Sequence, residues 1–194
     1  RHGTMVAGII FSKHNSIGID GIAPKAELIA IRQPSTWTSN TLLSFQLAKL
    51  AGASIINCSW HSRTLLEPIS DIVDELALYG RDGKGVAVVI SAGNQGKQIL
   101  SDETESSIQS AIVVGAVNHE GQKTKFSNYG SSVDLWVFGG KTNTTLKSGQ
   151  YGLFAGTSLA ASIVSGISAL KLSEQPELTL TQLLREIKQM TNKR

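Results

Sequence analysis

Apolar residues fall into short runs punctuated by glycine, serine and asparagine, and their spacing switches between helical and strand-like along the chain. Val6, Ile9 and Ile10 share a helical face despite Gly3 and Gly8, so 4–11 predicts a buried helix with His2 at its N-terminus. A polar loop follows over 12–21, closed by Pro24. The near-continuous apolar run 27–32 reads as a short strand covered on both faces. Residues 40–51 predict an amphipathic helix with Leu43, Leu47 and Leu50 inward and Gly52 as its stop. Next come a strand over 54–59, a helix over 67–79 with Ile69, Ile72, Val73 and Leu76 inward, and a fully buried strand over 86–90. A loop without clear pattern, 95–110, leads to a strand over 111–117. Turns and short strands alternate over 126–140, and 150–154 runs extended. A helix over 159–172 ends before Pro176, and a last helix over 179–190 puts Leu180, Leu183, Leu184 and Ile187 inward.

Strands alternating with helices predict an α/β fold: one three-layer αβα domain over 1–194 with a mostly parallel sheet. Such sheets bind ligands at the carboxyl ends of their strands. The chain opens abruptly on Arg1-His2-Gly3-Thr4, as the middle of a fold does, so the domain is expected to be incomplete on its amino-terminal side. Composition adds little: 41% hydrophobic, 17% charged and 19 glycines describe an ordinary core with many tight turns. A net charge of +3, dispersed along the chain, argues against a nucleic-acid partner. Cys58 is the single cysteine and allows no internal disulfide; it reads as an inert buried thiol. No apolar run reaches membrane-spanning length, and no signal peptide is visible.

Three clusters carry candidate chemistry. In Gly156-Thr157-Ser158-Leu159-Ala160-Ala161 a serine follows a sharp bend and opens a helix, where unpaired N–H groups and the helix dipole favour a developing oxyanion. Serine is also a common helix cap, and the cluster alone leaves that open. His2 is a candidate base at a helix start; His14, His61 and His119 stand in polar contexts that suit a structural or surface role. Asn94 follows a buried strand and a small-residue turn, so it is either an oxyanion donor at the sheet edge or a turn residue. Lipase-like chemistry is excluded on two counts. The sequence G-x-S-x-G is absent at Ser158, and no histidine follows that serine. No cluster of His and Cys suggests a metal cage.

Together the clusters resemble the subtilisin-like serine peptidases, the subtilases. His2-Gly3-Thr4-Met5-Val6-Ala7-Gly8 matches the family's histidine motif, Ala92-Gly93-Asn94 its asparagine motif and the Ser158 cluster its serine motif, in the family's order. Gly21-Ile22-Ala23-Pro24, Ile55-Ile56-Asn57-Cys58-Ser59, Val113-Val114-Gly115-Ala116-Val117 and Phe126-Ser127-Asn128-Tyr129-Gly130 match as spacers, so nearly the whole chain takes part. The resemblance implies an endopeptidase with Ser158 as nucleophile, His2 as base and Asn94 as oxyanion donor. It implies an extended peptide or protein substrate paired along Ser59, Trp60 and His61, and a primary pocket walled by Ser91, Ala92 and Gly93. No cofactor is required, and secretion or a periplasmic location follows by resemblance.

The match departs in one main respect. The family's third catalytic residue is an aspartate on a strand before the histidine, and only Arg1 precedes His2 here. Asp20, Asp71, Asp74 and Asp134 fall where the family has other roles, so none is expected to substitute. Three accounts stay open: a fragment of a peptidase, inactive or weakly active; a chain whose partner supplies the aspartate; or a subtilase-like peptide-binding module without catalysis. A chain missing sheet strands is also expected to self-associate through its exposed edge. Smaller departures are Ser162 and Ile163, where the family favours proline and histidine, and Trp60-His61-Ser62, where it has leucine and glycines. Val137-Phe138-Gly139 replaces the family's Ala-Pro-Gly turn. The loop with Asn15, Ile17 and Ile19 resembles a calcium-binding loop of part of the family, although Lys13 and His14 add unfavourable charge. Asp102, Glu103 and Glu105 either favour basic substrate side chains or form a solvated acidic loop, and the second reading is preferred.

Overall fold

The computed structural model describes residues 1–35, 37–62, 64–101 and 103–191. Its centre is a sheet of four parallel strands in the order β1-β2-β3-β4: β1 Ile55–Cys58, β2 Ala87–Ser91, β3 Ile112–Val117 and β4 Leu135–Phe138. Every residue of β2 and β3 is buried, as unbroken β-branched runs demand when helices cover both faces. Side chains alternate between those faces. Val88, Ile90 and Val113 point to one side, where α2 (Thr38–Leu50) and α3 (Glu67–Tyr79) contribute Phe45, Ile69, Ile72, Val73 and Leu76. Val89, Ile112 and Val114 point to the other, onto α4 (Thr157–Glu174) and α5 (Leu180–Thr191) through Ala160, Ala161, Val164, Leu183 and Ile187. Each fully buried Val, Leu or Ile stabilises the fold by about 1.5–3 kcal/mol.

A third, smaller cluster of Ile9, Phe154 and Leu159 packs α1 (His2–Phe11) against α4. An antiparallel hairpin, β5 (Thr142–Thr145) and β6 (Tyr151–Phe154), lies on α1. Thr144 and Thr145 donate hydroxyl hydrogen bonds to the Met5 and Thr4 carbonyls at 2.6 and 3.0 Å. They fit because Gly8 has no side chain: a Cβ there would sit 2.3 Å from the Thr145 hydroxyl. At the replaced turn, Gly139 bonds Val117 and Gly156 at 2.9 Å each, and a Cβ would meet that of Ala116 at 2.5 Å.

Two sequence expectations fail. Residues 27–32 form no strand, and Leu28, Ile29 and Ile31 are exposed. Apolar content makes a strand only where a neighbour can pair, and β1, the edge strand, is paired on its β2 side alone. In α2 the leucines face outward: Leu43, Leu47 and Leu50 are 56%, 45% and 82% exposed. A second stripe at the same helical period, Thr41, Phe45 and Ala48, is the buried one. The helix presents its single aromatic ring to α3, with Leu42 beside it, and leaves Leu43, Leu47 and Leu50 in solvent. The extended run at 150–154 is the second strand of a hairpin, and the serine helix starts at Thr157, two residues before the expected start.

Candidate active site

Gly156 caps α4 with φ of 111°, a conformation side chains rarely adopt, and an added Cβ would lie 3.2 Å from the Asn94 side-chain oxygen. That oxygen accepts from the Thr157 N–H at 2.9 Å and the Thr157 hydroxyl at 3.0 Å. A backbone N–H can only donate, so the atom facing it is the amide oxygen, and the Asn94 NH₂ is left as a donor beside the start of α4. Ser158 occupies the first turn, where N–H groups lack intrahelical acceptors. The Asn94 amide and the Ser158 N–H thus sit together at the positive end of a helix of 18 residues.

Packing of α1 on α4 brings His2 to the same end of the molecule, its ring edge-on to Phe154 with centroids 5.7 Å apart. Burial, and then the charged amino terminus, hold the His2 imidazole below the ordinary value of 6.5, which keeps it a neutral base near pH 7. The Ser158 hydroxyl makes only a long contact to the Ser59 carbonyl, 3.4 Å. Among the described residues no hydrogen bond joins His2 to Ser158 or to a carboxylate. Asp134 accepts from the Val113 N–H at 3.1 Å and pairs with Lys188, and Asp74 accepts from the Ser110 hydroxyl. Both acids are engaged elsewhere, as the sequence leads one to expect. Ser162 donates its hydroxyl to the Ser158 carbonyl at 2.7 Å, so α4 runs unbroken past the position where proline was expected.

Ser59, Trp60 and His61 continue from β1, and the backbones of Trp60 and His61 form no backbone hydrogen bonds within the described residues. Facing them, Ser91 ends β2 and Gly93 is fixed from two sides: its N–H donates to the Thr157 hydroxyl at 3.2 Å and its carbonyl accepts from Asn128 at 2.9 Å. The Asn128 side-chain oxygen also accepts from Gln95 at 3.0 Å and Lys97 at 3.2 Å, which pins the turn carrying Asn94. Thr157 and Asn128 were within quoted motifs, but nothing in their spacing announced these bracing roles.

The acidic loop needs correction. Asp102 lies outside the described residues, and Glu103 pairs with Lys97 near the surface. Glu105 is 1% exposed, not solvated, and accepts from the Ser62 N–H at 2.9 Å. In the loop 12–21 the Asn15 side-chain oxygen already accepts from the Ile17 N–H at 3.1 Å, Ile17 is exposed, and Ile19 adds only a backbone carbonyl. With Lys13 and His14 adjacent, these residues do not fit a calcium ion. Among the described residues no three His, Cys, Asp or Glu side chains form a metal-binding group, and no helix is long and apolar enough to cross a membrane.

The model of the subtilase family matches residues 1–193. The chain belongs to the subtilase family. Subtilisin NAT of Bacillus subtilis subsp. natto is 34% identical over 188 residues, which cover 94% of this chain and 48% of that protein. The thermostable alkaline protease of Halalkalibacterium halodurans is 33% identical over 192 residues, covering 97% of this chain and 51% of the relative. Among solved structures, a cold-adapted subtilisin-like serine proteinase superposes with a TM-score of 0.79 at 27% identity, covering 95% of this chain and 65% of that one. This subtilase chain therefore spans about half the length of the curated relatives it matches. The likeness places its sheet and flanking helices in the subtilisin-like fold.

Proposed function

We propose that this subtilase chain carries the larger part of a serine endopeptidase site. Ser158 attacks the peptide carbonyl, His2 takes the hydroxyl proton and returns it to the leaving amine, and water then releases the acyl group from Ser158. The Asn94 NH₂ and the Ser158 N–H hold the oxyanion. The substrate backbone adds as a strand along Ser59, Trp60 and His61, and the backbones of Trp60 and His61, without backbone hydrogen bonds among the described residues, suit that pairing. The reading takes a peptide or protein substrate, needs no cofactor, and carries secretion over from the resemblance. Its main support is Asn94, whose oxygen is held by the Thr157 N–H and hydroxyl at the start of α4 and whose NH₂ is left to donate.

The orienting acid is not among the partners of His2, so the site by itself is slow or silent. The open edge of β1 and the exposed apolar run at 27–32 support supply of that acid by an added strand. One observation favours the second reading, a peptide-binding module without catalysis: the Ser158 hydroxyl faces Ser59, not His2. Hydrolysis of an activated peptide ester separates the two. On the first reading Asn94→Ala lowers kcat by about 10²–10³, the size measured for the oxyanion asparagine of a subtilisin and taken over from it. An ester rate indifferent to Asn94 and Ser158 would leave the binding module.

A further inference from the structure

The two walls of the primary pocket are joined by a side chain. His61 leaves the Ser59–Ser62 segment and its Nε2 lies 2.6 Å from the Ser91 carbonyl on the opposite wall. A carbonyl only accepts, so Nε2 carries the proton and the imidazole spans the slot. Beneath it lies a carboxylate. Glu105 is 1% exposed, one oxygen accepts from the Ser62 N–H, and the other, Oε1, is buried with no partner among the described residues. The short turn that carries it, Glu105–Ser107, packs on β2, and its bond to the Ser62 N–H ties it to the segment that carries His61. Its charge reaches His61 on one side and Cys58 on the other. Burying a carboxylate oxygen without a donor is costly, and most such atoms in folded proteins are satisfied.

We propose that His61 and Glu105 set the specificity of this site: His61 closes the primary pocket to all but small side chains, and Glu105 makes the pocket select a lysine or arginine side chain once the imidazole swings away. The guest supplies the donor that Oε1 lacks. A guanidinium or ammonium at the end of a long apolar stem matches the chemistry, because the stem passes between backbone walls and only its tip meets charge. A neutral guest of the same length leaves Oε1 unsatisfied and gains nothing from it.

The proposal rests on the pocket assignment above, but its test needs no turnover. Agmatine, an alkyl guanidinium, is titrated by calorimetry into the folded protein and its variants. His61→Gly is expected to bind agmatine at least tenfold more tightly than the unaltered chain, and His61→Gly/Glu105→Gln to return to the weak level. Gln keeps an acceptor for the Ser62 N–H, so the double variant loses the charge and not the loop. If melting shows His61→Gly unfolded, His61→Ser takes its place. Equal agmatine binding with and without His61, or binding indifferent to Glu105, overturns the proposal. Tight binding in a protein whose Ser158 never reacts supports it and counts against the catalytic reading alone.

Discussion

Asn94, Thr157 and Gly156 show how little freedom the site has at the level of single residues. Thr157 occupies both lone-pair directions of the Asn94 oxygen, and Gly156 leaves the space that the amide fills. The motif letters Gly-Thr-Ser thus encode one brace and one gap around the nucleophile. His2 supplies the pH signature. The imidazole stays exposed, yet partial desolvation and then the charged amino terminus lower its affinity for a proton, so on the proposed reading the neutral form that would accept the Ser158 proton persists below the ordinary 6.5. The rate of Ser158 acylation is therefore expected to rise with pH through a midpoint below 6.5 and then level off. A midpoint above that value in a pH–rate profile contradicts the assignment of His2 as base.

Among the elements, α2 separates pattern from packing. Phe45→Ala is expected to cost about 3–5 kcal/mol, because the ring is buried against α3. Leu50→Gln is expected to stay within about 0.5 kcal/mol, because Leu50 is exposed. Urea unfolding of the two variants checks both, and a large loss at Leu50 would contradict the orientation of the helix. The sequence offered two stripes of equal period here, and only the position of α3 decides between them. The same holds at 27–32, where composition favoured a strand and pairing was missing. By contrast α3 and the strands β2 and β3 were legible, since Ile69, Ile72, Val73 and Leu76 form a single stripe and Val88, Val89 and Ile90 admit no other burial. The roles of His2, Asn94 and Ser158 came from motif order. The burial of Glu105 was not readable, because an acid in a polar loop gives no sign of being folded inward.

For the whole molecule, the organisation is three layers around a sheet in which, among the described residues, β1 pairs on one side only. Edge strand β1 presents unpaired backbone groups, and Leu43, Leu47 and Leu50 of α2 lie in solvent. We expect the isolated chain to self-associate through that edge, and a monodisperse monomer in light scattering would count against it. The same edge bears on catalysis, since a histidine without its orienting carboxylate loses roughly 10⁴ in turnover, the figure from worked serine-protease cases that include a subtilisin. On the proposed reading, Ser158 at a helix start, the Asn94 NH₂ and Ser158 N–H, and the His2 imidazole are the parts of the site that this chain carries. The most direct measurement is intact mass after exposure to a fluorophosphonate, with Ser158→Ala in parallel. The account predicts one adduct, formed slowly and absent from the Ser158→Ala protein. A folded sample that never gains the adduct, or an adduct that persists in Ser158→Ala, would contradict it.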